Sequence, residues 1–270
     1  QDFTTGTNTL ITSSMISINI QNHDVIKHNS ITLLGDAKVS IDLIVKKIGH
    51  FCISENYKND IQKLKSLWDE EVNKVTVKSD KNSLPSDSQV IGAINRNVPK
   101  ETIVIGAAGS MPGELHKLWT SHKIHGYHME YGFSCMGYEI PAGWGAAMAD
   151  KTRTPIVIVG DGTYMMMNSD IYSSVLSGHK MIVIIPDNGG FAIINRLQNF
   201  KGGVSFNNLI KDCKVKEPFA VDFAKHAESM GAYGRRVETL DELDQAMKWA
   251  QETDKTTVIT IPTDAFEWTP

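Results

Sequence analysis

The feature that most constrains the fold is a set of short, predominantly apolar runs in the last two thirds of the chain. They are Thr102–Ala107 (TIVIGA), Pro155–Val159 (PIVIV), Met181–Ile185 (MIVII) and Thr257–Ile261. Each is strand-sized and shows no alternation between apolar and polar positions, so each is expected to be buried on both faces. Helical segments separate them, at Val90–Asn95, around Glu114–Trp119, and at Pro141–Ala149, Asn168–Leu176, Val221–Met230 and Leu240–Gln251. The pattern predicts an α/β fold with a doubly wound parallel sheet. Ligands of such sheets bind beyond the carboxyl ends of the strands, which directs attention to the loops after Ala107, Val159 and Ile185.

The first third reads differently. Met15–Ile20 and Ile31–Leu34 are expected strands, and Val39–Ile48 a helix stopped by Gly49. Asn56–Val75 is a charged helix with Ile61, Leu64, Leu67 and Trp68 on one stripe. Lys78–Ser88 is polar, holds a proline and serves as a linker. The expected organisation is part of a second α/β domain at 1–52, helix and linker at 53–85, and the doubly wound domain at 86–270.

Composition excludes several functions. With 27 Lys+Arg against 31 Asp+Glu and a net charge of −4, charge alone would not hold nucleic acid. No apolar run approaches the ~20 residues that cross a bilayer, so no membrane role is expected. Cys52, Cys135 and Cys213 are scattered and form no C-x-x-C pair, which points to a reducing, cytoplasmic setting and to a buried thiol at Cys135.

Two loops carry the chemistry. Gly160-Asp161-Gly162-Thr163 follows PIVIV, and Asp187-Asn188-Gly189-Gly190-Phe191 follows MIVIIP. Asp161 places a carboxylate at one strand tip and Asn188 an amide oxygen at the next, 27 positions later. Oxygen donors suit Mg²⁺ or Ca²⁺, and Mg²⁺ completes its shell with phosphate oxygens and water. Taken singly, each loop is a common turn. His116, His122, His125 and His128 suggest zinc, but Gly126, Tyr127 and Tyr131 oppose a regular helix there and no carboxylate cluster completes a site. One or two of them are expected to face substrate instead. Ser110 lies in Ala-Gly-Ser-Met-Pro, which fails the hydrolase nucleophile elbow.

Together the two loops resemble the signature of thiamine diphosphate (ThDP) enzymes, GDG followed one helix and one strand later by Asn. The resemblance implies that Asp161, Asn188 and the Gly190 carbonyl hold the metal, and that Gly162 and Thr163 hold the diphosphate. It places Gly109, Ser110 and Met111 at further diphosphate contacts. Met136 matches the apolar residue that bends ThDP, and the Ser134 carbonyl the acceptor of its 4′-amino group. Asp187 departs from the Asn usual before the ligand Asn. The block Pro112–Trp119 (PGELHKLW), with Tyr127–Gly132 and Cys135–Glu139, and the block Ile194–Gln198 (INRLQ), with Gly202-Gly203 and Ser205–Leu209, resemble one branch, the trihydroxycyclohexane-1,2-dione hydrolases of inositol breakdown.

That branch implies hydrolytic opening of a cyclic 1,2-diketone to 5-deoxy-glucuronate, by an enzyme assembled as a homodimer or homotetramer. Residues 1–52 then resemble the end of the central domain, with Phe3-Thr4-Thr5-Gly6 as its recognisable start. The activating Glu of the superfamily is expected on a pyrimidine-binding domain, in the same or a second subunit. Glu114, Glu130 and Glu139 do not match it, and no catalytic residue is assigned within this sequence. The chain is expected to be an incomplete enzyme or a split subunit, weakly active or inactive alone. The alternatives are an acetohydroxyacid-synthase-like carboligase or 2-oxo-acid decarboxylase, and a non-catalytic nucleotide-binding module.

Overall fold

The computed structural model describes residues 14–27, 30–77, 83–130, 132–215, 217 and 219–266. The Phe3–Gly6 motif, the first part of the linker (78–82) and Tyr131 lie outside them. The chain divides into two compact units, residues 1–68 and 69–270.

In the first unit, β1 (Ile16–Asn19) pairs in parallel with β2 (Ile31–Leu34), Ile16 opposite Ile31, around the short helix α1 (Asn22–Val25). Helix α2 (Ala37–Ile48) starts at Asp36, whose carboxylate accepts from the Val39 N–H at 2.9 Å. It stops at Gly49, where φ is 62°. Both ends follow from side-chain capping and a left-handed glycine. Val25 is the one fully buried apolar residue among the described residues of this unit. Helix α3 (Glu55–Val75) begins here and ends in the second unit. Its stripe of Ile61, Leu64, Leu67 and Trp68 is exposed.

The second unit has a six-stranded, all-parallel sheet in the order β4-β3-β5-β6-β8-β7. The strands are β3 (Val104–Gly106), β4 (Tyr127–Met129), β5 (Ile156–Ile158), β6 (Ile182–Asp187), β7 (Tyr233–Arg236) and β8 (Thr257–Pro262). One face of the inner strands packs Ile156, Ile158, Ile182, Ile184 and Ile259 against α4 (Asp87–Asn97), α5 (Ser110–Leu118) and α11 (Leu240–Glu252). The other turns Val157, Val159, Val183, Ile185 and Val258 toward α6 (Glu139–Ala149), α8 (Ser169–Ser177) and α10 (Phe223–Ser229). Alternation thus exists in space, but both sets are apolar because both faces are covered.

Several elements depart from the sequence-based expectation. A helix, α7 (Asp161–Met167), begins within the GDGT segment, before the expected start at Asn168. Helix α5 begins at Ser110, earlier than Glu114. Strands β4 and β7 and helix α9 (Ala192–Phe200) were not expected as elements. Helix α4 opens with a capping box, Ser86 and Gln89 each bonding the other's backbone N–H, so Lys78–Ser88 ends in an ordered cap.

Candidate cofactor site

From β3 the chain runs outward to β4, whereas β5 and β6 follow on the other side of β3. The topological switch therefore lies between β3 and β5, where their loops diverge and leave a crevice. A narrow cleft occupies this place. Its walls include Gly109, Ser110 and Met111 after β3, Met136 before α6, Asp161, Gly162 and Thr163 after β5, and Asn188 and Gly190 after β6. Nine of the ten residues named from the sequence thus share one cleft. Ser134 is the tenth; it is exposed and stands outside that lining, with φ of 54°.

Asp161 joins the two chemistry-bearing loops. Its Oδ1 accepts from the Gly162 N–H at 2.8 Å, and its Oδ2 from the Gly190 N–H at 2.6 Å. Burial and the neighbouring Asp187 carboxylate push its carboxyl well above the usual range, and the two N–H groups only partly offset this. Asn188 Oδ1 is buried and has no hydrogen-bond partner. A buried acceptor without a donor costs free energy unless something else meets it. A divalent cation fits this pair, because it would neutralise Asp161 and occupy the amide oxygen.

The glycines are needed for space. A side chain at Gly190 (φ 139°) would overlap the Asn208 carbonyl. That stretch of backbone is held close by Phe191 N–H donating to Asn208 O at 2.8 Å and Ile210 N–H to Gly189 O at 2.9 Å. At Gly162 a side chain would strike the Phe191 ring. Asp187, the departure from the usual Asn, turns its Oδ1 to the Gly189 N–H at 3.1 Å, and its Oδ2 lies 3.9 Å from Arg236. A larger cavity of about 680 Å³, lined mainly by apolar residues such as Leu209, Phe219 and Phe223, also reaches Asp161 and Asn188. It lacks the Gly109–Met111 and Gly162–Thr163 backbone, so the narrow cleft is the better candidate for an anion.

Sequence reasoning passed over two acids here. Asp87, at the first turn of α4, lines the cleft; its carboxyl is pushed up to about 6, chiefly by burial. Glu139 is fully buried beneath the Met136 loop. A lone acid inside an apolar stretch was the available signal for it. Cys135 is exposed, not a buried thiol as expected, because its N–H is held at the surface by Glu130 Oε2 at 2.7 Å. Two of the four histidines are paired with tyrosines, His128 Nε2 with Tyr138 Oη at 2.6 Å and His116 Nδ1 with Tyr127 Oη at 3.3 Å. Among the described residues no three His, Cys, Asp or Glu side chains converge on one point.

Fold and cleft define an α/β protein of the class that holds its ligand at a switch point of parallel strands. Residues 107–261 match the family described as thiamine pyrophosphate enzyme, C-terminal TPP binding domain, and the chain belongs to that family. It is most like the 3D-(3,5/4)-trihydroxycyclohexane-1,2-dione hydrolases. It is 32% identical to that of Clostridium tetani and 30% to that of Geobacillus thermodenitrificans, each over 96% of this chain and 45% of the relative. The chain therefore spans less than half the length of these relatives. In fold it resembles a ThDP-dependent 4-hydroxybenzoylformate decarboxylase of Rhodococcus jostii (TM-score 0.62, 20% identity, 70% of this chain and 34% of that one). A benzoylformate decarboxylase from Polynucleobacter necessarius is similar to the same degree (TM-score 0.62, 22% identity, 72% and 36%).

Proposed function

We propose that this chain supplies the diphosphate- and Mg²⁺-binding half of a ThDP-dependent hydrolase that opens a cyclic, polyhydroxylated 1,2-diketone by breaking a ring C–C bond. The observation that carries the cofactor reading is the pairing of Asp161 with a buried, unpartnered Asn188 Oδ1 in one cleft. The substrate reading rests on likeness to relatives bearing the dione hydrolase name.

In this reading Asp161, Asn188 and the Gly190 carbonyl hold the metal. Gly162, Thr163 and the Gly109–Met111 turn receive the diphosphate, and Ser134 and Met136 receive the pyrimidine half. Bound ThDP supplies a nucleophilic carbon and an electron sink for the C–C cleavage. The protein's part is to orient the cofactor, exclude water from its anchor and set the charge around it. Exposed apolar side chains stand in segments that border the cleft: Phe133 before Met136, Met165–Met167 on α7, and Leu197 and Phe200 on α9. They suit cover by the pyrimidine-binding domain, from the same or a second subunit, in a reducing cytoplasmic setting. Calorimetry with ThDP and Mg²⁺, followed by an assay on trihydroxycyclohexane-1,2-dione with the pyrimidine-binding domain present, tests the proposal. Cofactor binding and release of 5-deoxy-glucuronate are expected. Turnover of pyruvate without action on the dione would instead support the carboligase or decarboxylase alternative.

A further inference from the structure

Glu139 is fully buried at the first position of α6, and among the described residues it has no ion-pair partner. A charge in such a position is costly unless hydrogen bonds hold it. Its two oxygens go to two different loops. Oε1 accepts from the Ala108 N–H at 3.2 Å, in the turn after β3 that leads into Gly109 and Ser110. Oε2 accepts from the Gly137 N–H at 3.1 Å, directly after Met136. Gly137 (φ 93°) also packs so closely on Met167 that a side chain there would strike it, and Met167 ends α7, the helix that begins at Asp161. One carboxylate thus braces the turn assigned to the diphosphate against the loop assigned to the pyrimidine half. That loop also rests on the helix that carries Asp161.

We propose that Glu139 is a positioning residue that fixes the Gly109–Met111 turn and the Ser134–Met136 loop in one register, so that the two halves of the cofactor are received together. This rests on the ThDP reading above. Glu130 shapes the outer rim of the same loop, with its two oxygens on the N–H groups of Phe133 and Cys135 at 3.0 and 2.7 Å. Its backbone N–H donates to the Gly106 carbonyl at the end of β3 at 3.2 Å, but its carboxylate bonds within its own loop, whereas that of Glu139 spans from the loop to the turn after β3.

A split between two ligands distinguishes coupling from plain structural support. Mg²⁺–pyrophosphate engages only the anchor, whereas Mg²⁺–ThDP needs anchor and pyrimidine loop in register. Glu139→Gln keeps the shape and one acceptor oxygen but cannot serve both N–H groups. In calorimetry it is expected to weaken Mg²⁺–ThDP by about tenfold or more and Mg²⁺–pyrophosphate by less than about threefold. Equal losses for both ligands, or no loss for either, overturn the proposal. Hydrogen exchange on the unaltered protein gives a second test that requires no folded variant. Saturation with Mg²⁺–pyrophosphate is expected to slow exchange at the Gly137 amide as well as at Ala108. Protection confined to residues 108–111 and 161–163 also overturns it. Failure of the unaltered protein to bind either ligand rejects the cofactor reading itself, a result distinct from both.

Discussion

Asp87 is a single residue whose cost can be read from its surroundings. Burial and the charge of Glu114 raise its carboxyl to about 6, against the pull of Arg196 and the nearby hydroxyls of Ser110 and Thr263. A folded-state value above the ordinary 3.8 means that the native protein binds the proton more tightly than the unfolded chain. Stability therefore falls as pH rises from about 4 to about 6, and the penalty of about 3 kcal/mol is fully present above that range. Asp87→Asn is expected to be more stable than the parent at pH 8 by up to this amount, with the difference fading toward pH 4. Urea unfolding at several pH values checks it, and a constant difference across that window rejects the account. Asp161 has the opposite functional consequence. Asp161→Ala removes the carboxylate that joins the two loops, and is expected to weaken Mg²⁺–ThDP binding by at least about 100-fold in calorimetry. Unchanged affinity would falsify the metal assignment. Asp161 and Asn188 were legible in the sequence because their meaning lies in local loop chemistry and a fixed interval. Glu139 and Asp87 were not, because what they touch (Ala108 for one, Ser110 and Thr263 for the other) is decided by tertiary contact.

At the scale of elements, what the sequence revealed follows burial. Strands β5, β6 and β8 are central and apolar on both faces, so their runs stand out. Strands β4 (YHM) and β7 (YGRR) lie at the sheet edges, are short and partly exposed, and carry polar side chains, so no apolar run marks them. The start of helix α7 reads as a loop in the sequence because glycine and a turn-forming acid open it. The small-residue composition of α6 was visible, but its purpose is set by β5. A side chain at Gly143 would overlap Val157 and come within 3.0 Å of Met181 Sδ. Gly143→Ala should therefore cost about 1–3 kcal/mol through overpacking, despite the better helix propensity of alanine. Thermal and urea unfolding measure this. A stability gain would show that α6 does not approach the sheet so closely.

At the scale of the whole molecule, the doubly wound class was legible but the strand order was not, since the position of β8 between β6 and β7 leaves no local mark. The surface carries a second whole-molecule property. Met165, Met166 and Met167 on α7 and Tyr172 and Leu176 on α8 are all exposed, although methionines and leucines usually pack inside. The close packing of Gly137 against Met166 and Met167 ties this apolar surface to the Met136 loop. Clustered exposed apolar side chains beside a cleft suit cover by another folded domain, as the proposed function requires. If that domain belongs to a second copy of the protein, placing charge on the surface should separate the copies without damaging the anchor. The double variant Met166→Lys, Leu176→Lys is expected to move the protein toward monomer in light scattering, with Mg²⁺–pyrophosphate affinity held within about threefold, because neither side chain lines the cleft. An unchanged oligomeric mass would show that these residues face solvent in the assembled protein. A parallel loss of pyrophosphate binding would show instead that α7 cannot be altered on its outer face without moving Asp161 at its start.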